Sequence, residues 1–164
     1  MNHQTDLQKY LDKHEVQAEI IQLERQVRTV QQAAQAVGVS PDQIVKSLLF
    51  IAADEPVFVI ALGPERVAPA AIARLCQVDP VRVEMAAREQ VVALTGYLVG
   101  TVPPIGVVSK LRTFIDRRVL DRQVLFAGGG GHQALLKLSP QTLLRYSNGQ
   151  VVDLGEEVEA GSGH

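Results

Sequence analysis

A chain of 164 residues with 46% hydrophobic and 21% charged residues is long enough to bury an aliphatic core in one domain and too apolar to stay disordered. A formal net charge of −2 excludes a generally basic nucleic-acid binder, DNA binders included, and 4% aromatics without Trp exclude base stacking as the main mode of recognition. The one cysteine, Cys76, cannot close an internal disulfide, and Met-Asn-His-Gln-Thr-Asp is not a signal-peptide start, so a cytoplasmic protein is expected.

Leu7, Tyr10 and Leu11 at helical spacing predict a first helix, and Val16 to Leu23 ends as an apolar strand. Thr29 with Gln32 has capping-box spacing ahead of a helical face of Val30, Ala33, Ala34 and Val37 that stops at Gly38. Ser40-Pro41 restarts a short helix. Val45 to Ala52 and Pro56 to Leu62 are β-rich runs around Asp54-Glu55, the pattern of a hairpin. Ala68 to Leu75 and Glu84 to Leu94, alanine-rich with few breakers, predict helices.

Gln90 to Ser109 carries no charge over a length that raises a membrane span, but three glycines and Pro103-Pro104 break a helix there. A helix end plus a loop is expected, and no membrane partner. Leu111 to Ile115, Gln123 to Ala127 and Gln133 to Leu138 read as short strands, with Asp116 capping a helical turn and glycines joining the last two. Ser139-Pro140 starts a helix through Leu144, Val151 to Leu154 forms a last strand, and residues 155–164 form a flexible tail. Strands and helices interleave without a βαβ rhythm. The expectation is an α+β fold, a mixed, partly closed barrel-like sheet flanked by helices, in one domain over residues 1–154. With no heptad or long apolar edge, a monomer is expected.

Three features carry candidate chemistry. Thr95-Gly-Tyr-Leu-Val-Gly-Thr-Val-Pro-Pro-Ile-Gly106 is a loop with few side chains in the way of its amides, stiffened by Pro103-Pro104. Lys46 lies on a strand whose faces are both apolar, sharing one with Leu48 and Phe50. Its ammonium either snorkels or meets an anionic or carbonyl ligand. Gly128-Gly-Gly-Gly131 lacks the Gly-Lys-Ser/Thr of a phosphate loop and precedes a strand, so it is either a hairpin connection or bare backbone that a substrate approaches, with His132 at the rim. The four histidines are scattered away from metal-ligand spacing, and no serine has a nucleophile-elbow setting. Neither a metal, another cofactor nor a triad is expected. Lys110, Arg112, Arg117, Arg118 and Arg122 cluster after the loop, as a solvated surface or a small phosphate-binding patch.

Gln43-Ile-Val-Lys46-Ser-Leu-Leu-Phe50, Val83-Glu-Met-Ala86, Thr95-Gly-Tyr-Leu-Val-Gly100, Pro104-Ile-Gly106, Gly128-Gly-Gly and Leu138-Ser-Pro140 together resemble the YbaK/ProX family, over nearly the whole chain. These are aminoacyl-tRNA deacylases similar to the editing domain of bacterial prolyl-tRNA synthetases. The resemblance implies hydrolysis of the ester on a mischarged tRNA carrying a small amino acid, such as Cys- or Ala-tRNA(Pro). It makes Lys46, Gly100 and Thr101 the catalytic candidates, and Leu23, Val102, Pro103, Pro104, Ala127, Gly128, Gly129 and His132 the substrate-binding ones. The implied partners are the aminoacyl-tRNA acceptor end and prolyl-tRNA synthetase. Thr101, Pro103 and Ala127 depart from the family's common residues, glycine, serine, and serine or glycine respectively. The alternative is a noncatalytic small-ligand or synthetase-docking module on the same fold.

Overall fold

A computed structural model describes residues 3–154; the tail expected at 155–164 lies outside the described residues. In chain order the elements are α1 (His3–Lys13), β1 (Ala18–Gln22), α2 (Val30–Val37), β2 (Val45–Ala52), β3 (Glu55–Leu62), α3 (Pro69–Cys76) and β4 (Val83–Met85). There follow α4 (Arg88–Thr95), β5 (Arg112–Asp116), β6 (Leu125–Gly128), β7 (Ala134–Leu138), α5 (Pro140–Ser147) and β8 (Gln150–Val152). Short 3-10 turns occupy Pro41–Gln43, Pro80–Arg82 and Arg117–Asp121.

Local hydrogen bonding sets most of these boundaries. Thr29 Oγ1 accepts from Gln32 N at 3.0 Å, Gln32 Oε1 accepts from Arg28 N at 2.8 Å, and Gly38 ends α2 in the left-handed region at φ 71°. Ser139 Oγ accepts from Thr142 N at 3.1 Å, and α5 runs on to Ser147, past the expected Leu144. Ala53 and Asp54, both at positive φ, turn β2 back into β3, the geometry whose twist matches a tight hairpin.

The class is α+β, as expected, with the strands in two sheets. One has the order β4-β2-β3-β5-β8 and the other β1-β7-β6. β3, β5 and β8 run parallel, and the other pairings are antiparallel. A lone parallel bridge from Ile44 to Phe126 links the sheets, which do not close into a barrel. Val45, Leu49, Phe58 and Ile60 face the core shared with α1, α5 and the small sheet, while Phe50, Val57, Val59 and Ala61 face α3. Burying each large aliphatic or aromatic side chain stabilises the fold by about 1.5–3 kcal/mol.

Val83–Met85 corrects the sequence reading, which placed Glu84 in a helix. Asp79 Oδ1 accepts from Val81 N at 3.0 Å and caps the turn that delivers Val83 to the edge of β2. There β4 pairs with Phe50–Ala52 and buries Val83, which outweighs local helix propensity. The helix waits for Ala87, whose N–H donates to Gln90 Oε1 at 2.7 Å.

β4 is short, and the site exists because of it. Its ladder covers only Phe50 to Ala52, Ala86 N adds one bond to Leu49 O at 2.9 Å, and the Ile44 bridge to Phe126 brings β6 against the start of β2, so among the described residues the outer edge of β2 lacks a paired strand only beside residues 46–48. Ile44 O accepts from Gly63 N, after β3, at 2.6 Å, whereas Leu49 O faces β4. Strand alternation therefore turns the peptide group of Ser47 toward the uncovered edge, while that of Val45 faces β6.

Candidate active site

The uncovered edge of β2 is one wall of a cleft of about 260 Å³; the turn at Val99, Gly100 and Val102 and the end of β6 at Ala127 and Gly128 form others. Lys46 lines this cleft and is half-buried. One of its three ammonium protons goes to the main-chain oxygen of Glu65; the other two have no acceptor among the described residues. Burial pushes the amine below its usual range, and the Glu65 carboxylate partly opposes that.

The glycine and proline loop is tied at its base. Val108 N donates to Thr95 O at 3.1 Å and Ser109 N to Leu94 O at 3.2 Å, while Thr95 Oγ1 donates to Val91 O at 2.6 Å. At its tip the loop rests on the second glycine turn. A Cβ on Gly128 would lie 2.4 Å from Val102 O, so only glycine permits this approach, and Gly130 N donates to Thr101 O at 2.9 Å. Gly100 sits at φ 89°, and its N–H and that of Val102 have no acceptor among the described residues.

Of the residues singled out from sequence, Lys46, Gly100, Val102, Ala127 and Gly128 share the cleft. Thr101 does not line it. The residue is 1% exposed, and both its N–H and its hydroxyl donate to Leu98 O, at 3.0 and 2.8 Å, so its donors lock the loop. Pro103 is buried and Pro104 borders a separate cavity beside Tyr10 and Tyr146. Leu23 lines a neighbouring surface groove, and Gly129 is pressed onto the Ala134 backbone. His132 comes within 3.9 Å of where a Gly100 Cβ would stand, its Nδ1 is buried with no partner among the described residues, and its carbonyl accepts from Val27 N at 2.8 Å.

Two residues of the site escaped the sequence reading. Arg28 lines the cleft, donates to Gln26 Oε1 at 2.8 Å and pairs with no carboxylate among the described residues. Nothing in the local pattern distinguishes it from other surface arginines. Ser47 Oγ is buried without a partner among the described residues, and Ser47 borders both the cleft and an adjoining apolar hollow of about 70 Å³. That hollow is walled by Leu49, Phe58, Val91, Val99 and Val102. The basic cluster after the loop is largely neutralised: Arg112 pairs with Glu55, Arg117 with Asp153, Arg118 with Asp116 and Glu65, and Arg122 with Asp42. Among the described residues no three His, Cys, Asp or Glu side chains converge to hold a metal ion, and no helix is long and apolar enough to cross a membrane.

Residues 24–146 match the aminoacyl-tRNA editing domain family. The proline–tRNA ligase of Nitratidesulfovibrio vulgaris (strain DP4) is 36% identical over 88 residues, which are 54% of this chain and 15% of the ligase, so the chain spans a small part of that relative. YwhH of Bacillus subtilis (strain 168), an uncharacterised protein, is 26% identical over 134 residues, 81% of this chain and 83% of YwhH. A crystal structure described as that of a candidate trans-editing enzyme for prolyl tRNA synthetase superposes with a TM-score of 0.85 at 31% identity, covering 94% of this chain and 97% of the other. With the family match covering most of the chain and the fold shared over 94% of it, the chain belongs to the aminoacyl-tRNA editing domain family, in its YbaK/ProX-like group.

Proposed function

We propose that the chain is an aminoacyl-tRNA deacylase that acts in trans, releasing a small amino acid such as alanine or cysteine from mischarged tRNA(Pro). The observation that carries this reading is the shared cleft: an ammonium with two unengaged donors, two unengaged loop amides and a small apolar hollow meet at one place. The hollow, about 70 Å³, suits a methyl or thiol-bearing side chain and is tight for larger ones. A synthetase pocket gains only about 1–3 kcal/mol from one methylene, so errors with smaller amino acids need a second sieve of this kind.

In the proposed reaction the ester carbonyl lies against the loop, and water, ordered by the free hydroxyl of the terminal ribose, adds to the carbonyl carbon. The N–H groups of Gly100 and Val102 donate to the oxyanion, an effect of about 2.7–4 kcal/mol per donor in such sites. The carbon–oxygen bond to the ribose then breaks, the ribose oxygen takes the proton, and the free amino acid leaves. Lys46 and Arg28 hold the terminal phosphodiester, and Lys46 adds positive potential where negative charge develops. The acceptor end is thus the main partner, and prolyl-tRNA synthetase is a second one where added affinity is needed.

Incubation with a panel of tRNAs mischarged with alanine, cysteine, serine and proline tests the proposal. Release of a small amino acid from tRNA(Pro), with cognate Pro-tRNA(Pro) spared, is the expected result. Binding without release would replace the proposal by a noncatalytic module.

A further inference from the structure

We infer that Arg118, anchored on Asp116 and acting through Glu65, is a positioning residue that holds the Lys46 ammonium against the cleft. The inference rests on the proposed use of Lys46 in deacylation. A lysine side chain has four rotatable bonds and a compact charge, so without a fixed partner it does not stay in one place. Here its partner is a main-chain carbonyl, that of Glu65, in the loop after β3.

That carbonyl is held from several sides. Glu65 N donates to Leu62 O at 3.1 Å, and Gly63 N donates to Ile44 O at 2.6 Å, which ties the loop to the strand that carries Lys46. The Glu65 carboxylate pairs with Arg118 Nη1 at 3.1 Å. Arg118 is itself gripped by Asp116: Nη2 lies 2.8 Å from Oδ2, Nε 3.3 Å from Oδ1, and the Arg118 N–H donates to Oδ1 at 3.0 Å. The Asp116 side chain is only 2% exposed. A buried carboxylate needs such a partner, and satisfying it leaves the remaining arm of the guanidinium pointing at Glu65.

The charges alternate from Asp116 through Arg118 and Glu65 to Lys46, and Arg28 is the further charged group on the cleft. Ion pairs as exposed as Arg118 with Glu65 add little to stability, so the loop clamp has placement as its main consequence. The pairs of Arg112, Arg117 and Arg122 join carboxylates that make no contact with Lys46.

The test uses the full chain with Glu65→Gln, with Arg118→Met combined with Asp116→Asn so that no buried carboxylate is stranded, and with each of these in a Lys46→Ala background. The Lys46 amine is titrated by NMR in protein carrying labelled lysine, its resonance assigned by its loss in Lys46→Ala. Single-turnover release from Ala-tRNA(Pro) is measured in parallel. The expected result is a release rate cut by about fivefold or more both in Glu65→Gln and in Arg118→Met with Asp116→Asn, with a lower Lys46 midpoint in Glu65→Gln, where the opposing carboxylate is gone. In the Lys46→Ala background the same change alters the rate by less than about twofold, since the two act through one contact. A Lys46 resonance and release rate in Arg118→Met with Asp116→Asn that match the wild type, or equal losses in both backgrounds, overturn the inference. If the wild-type protein releases nothing, the proposed reaction fails, while one sharp Lys46 resonance in the wild type that broadens or splits in Arg118→Met with Asp116→Asn still decides the positioning.

Discussion

Gly128→Ala probes the contact on which the cleft is built. The new methyl carbon would stand 2.4 Å from Val102 O, 2.8 Å from Val102 C and 2.9 Å from Thr101 C, and every one of these atoms is backbone. Reaching ordinary contact at 3.4 Å requires the loop to retreat by about 1 Å. Gly130 N holds Thr101 O, and the Leu98 carbonyl holds Thr101, so the retreat breaks or strains those bonds as well. Overpacking of this kind costs about 1–3 kcal/mol, which for a chain of this length lowers Tm by roughly 2–12 °C. A misplacement of about 1 Å at the reacting centre costs on the order of 100-fold in rate. Thermal unfolding and single-turnover deacylation of Ala-tRNA(Pro) measure the two effects on one sample. A variant with unaltered Tm and rate refutes the reasoning, because the loop would then not rest on Gly128.

Lys46→Ala removes a charged hydrogen-bond donor and is expected to slow deacylation by about 10–150-fold, corresponding to about 1.5–3 kcal/mol. Because burial depresses the Lys46 amine, the ammonium proposed to act is lost as pH rises through a value below the usual 10.5, and the rate should fall there; a rate flat to pH 10.5 contradicts this. The same depression means that the unfolded chain holds the proton more tightly, so stability contributed by this residue rises with pH between the folded value and 10.5, and Lys46→Met should not lower Tm at neutral pH. Arg28→Ala should raise KM and reduce the slope of log KM against log salt by about 0.7, as for one lost phosphate contact, whereas Arg117→Ala, already paired with Asp153, should change neither. Val91→Ala enlarges the apolar hollow and should narrow the discrimination against a larger aminoacyl group, a methylene being worth about 10–200-fold; unchanged selectivity across alanine, valine and proline esters would place the side chain elsewhere.

What was legible in the sequence is what a few neighbouring residues decide. The caps at Thr29, Asp116 and Ser139, the stop at Gly38 and the β2–β3 hairpin are local hydrogen-bond and φ requirements written into adjacent positions. The glycine turns belonged to the same class, although the reason for Gly128 is a backbone some 26 positions away. Thr101 shows the limit: a loop rich in glycine suggests free amides, yet the turn closes on Leu98 and engages that one. β4 depended on an edge that only the assembled sheet presents. Arg28 reaches the cleft because Leu23 N donates to Gln133 O at 2.7 Å and Val27 N to His132 O at 2.8 Å, which lays residues 23–29 along a distant turn. The pairing of the late arginines likewise joins partners far apart in the chain, so charge spacing alone left open, beside a solvated surface, a phosphate patch that the fold largely cancels.

The short stretch of β2 that lines the cleft is also a sheet margin. A sheet margin with unsatisfied peptide groups is a template for strand addition, and a lysine placed on such a margin is among the commonest guards against it. Lys46 stands on that stretch, so the charge proposed to serve deacylation also opposes self-association. Replacing it with an apolar residue removes both functions at once, and the resulting protein should gain a tendency to aggregate even where its fold is no weaker.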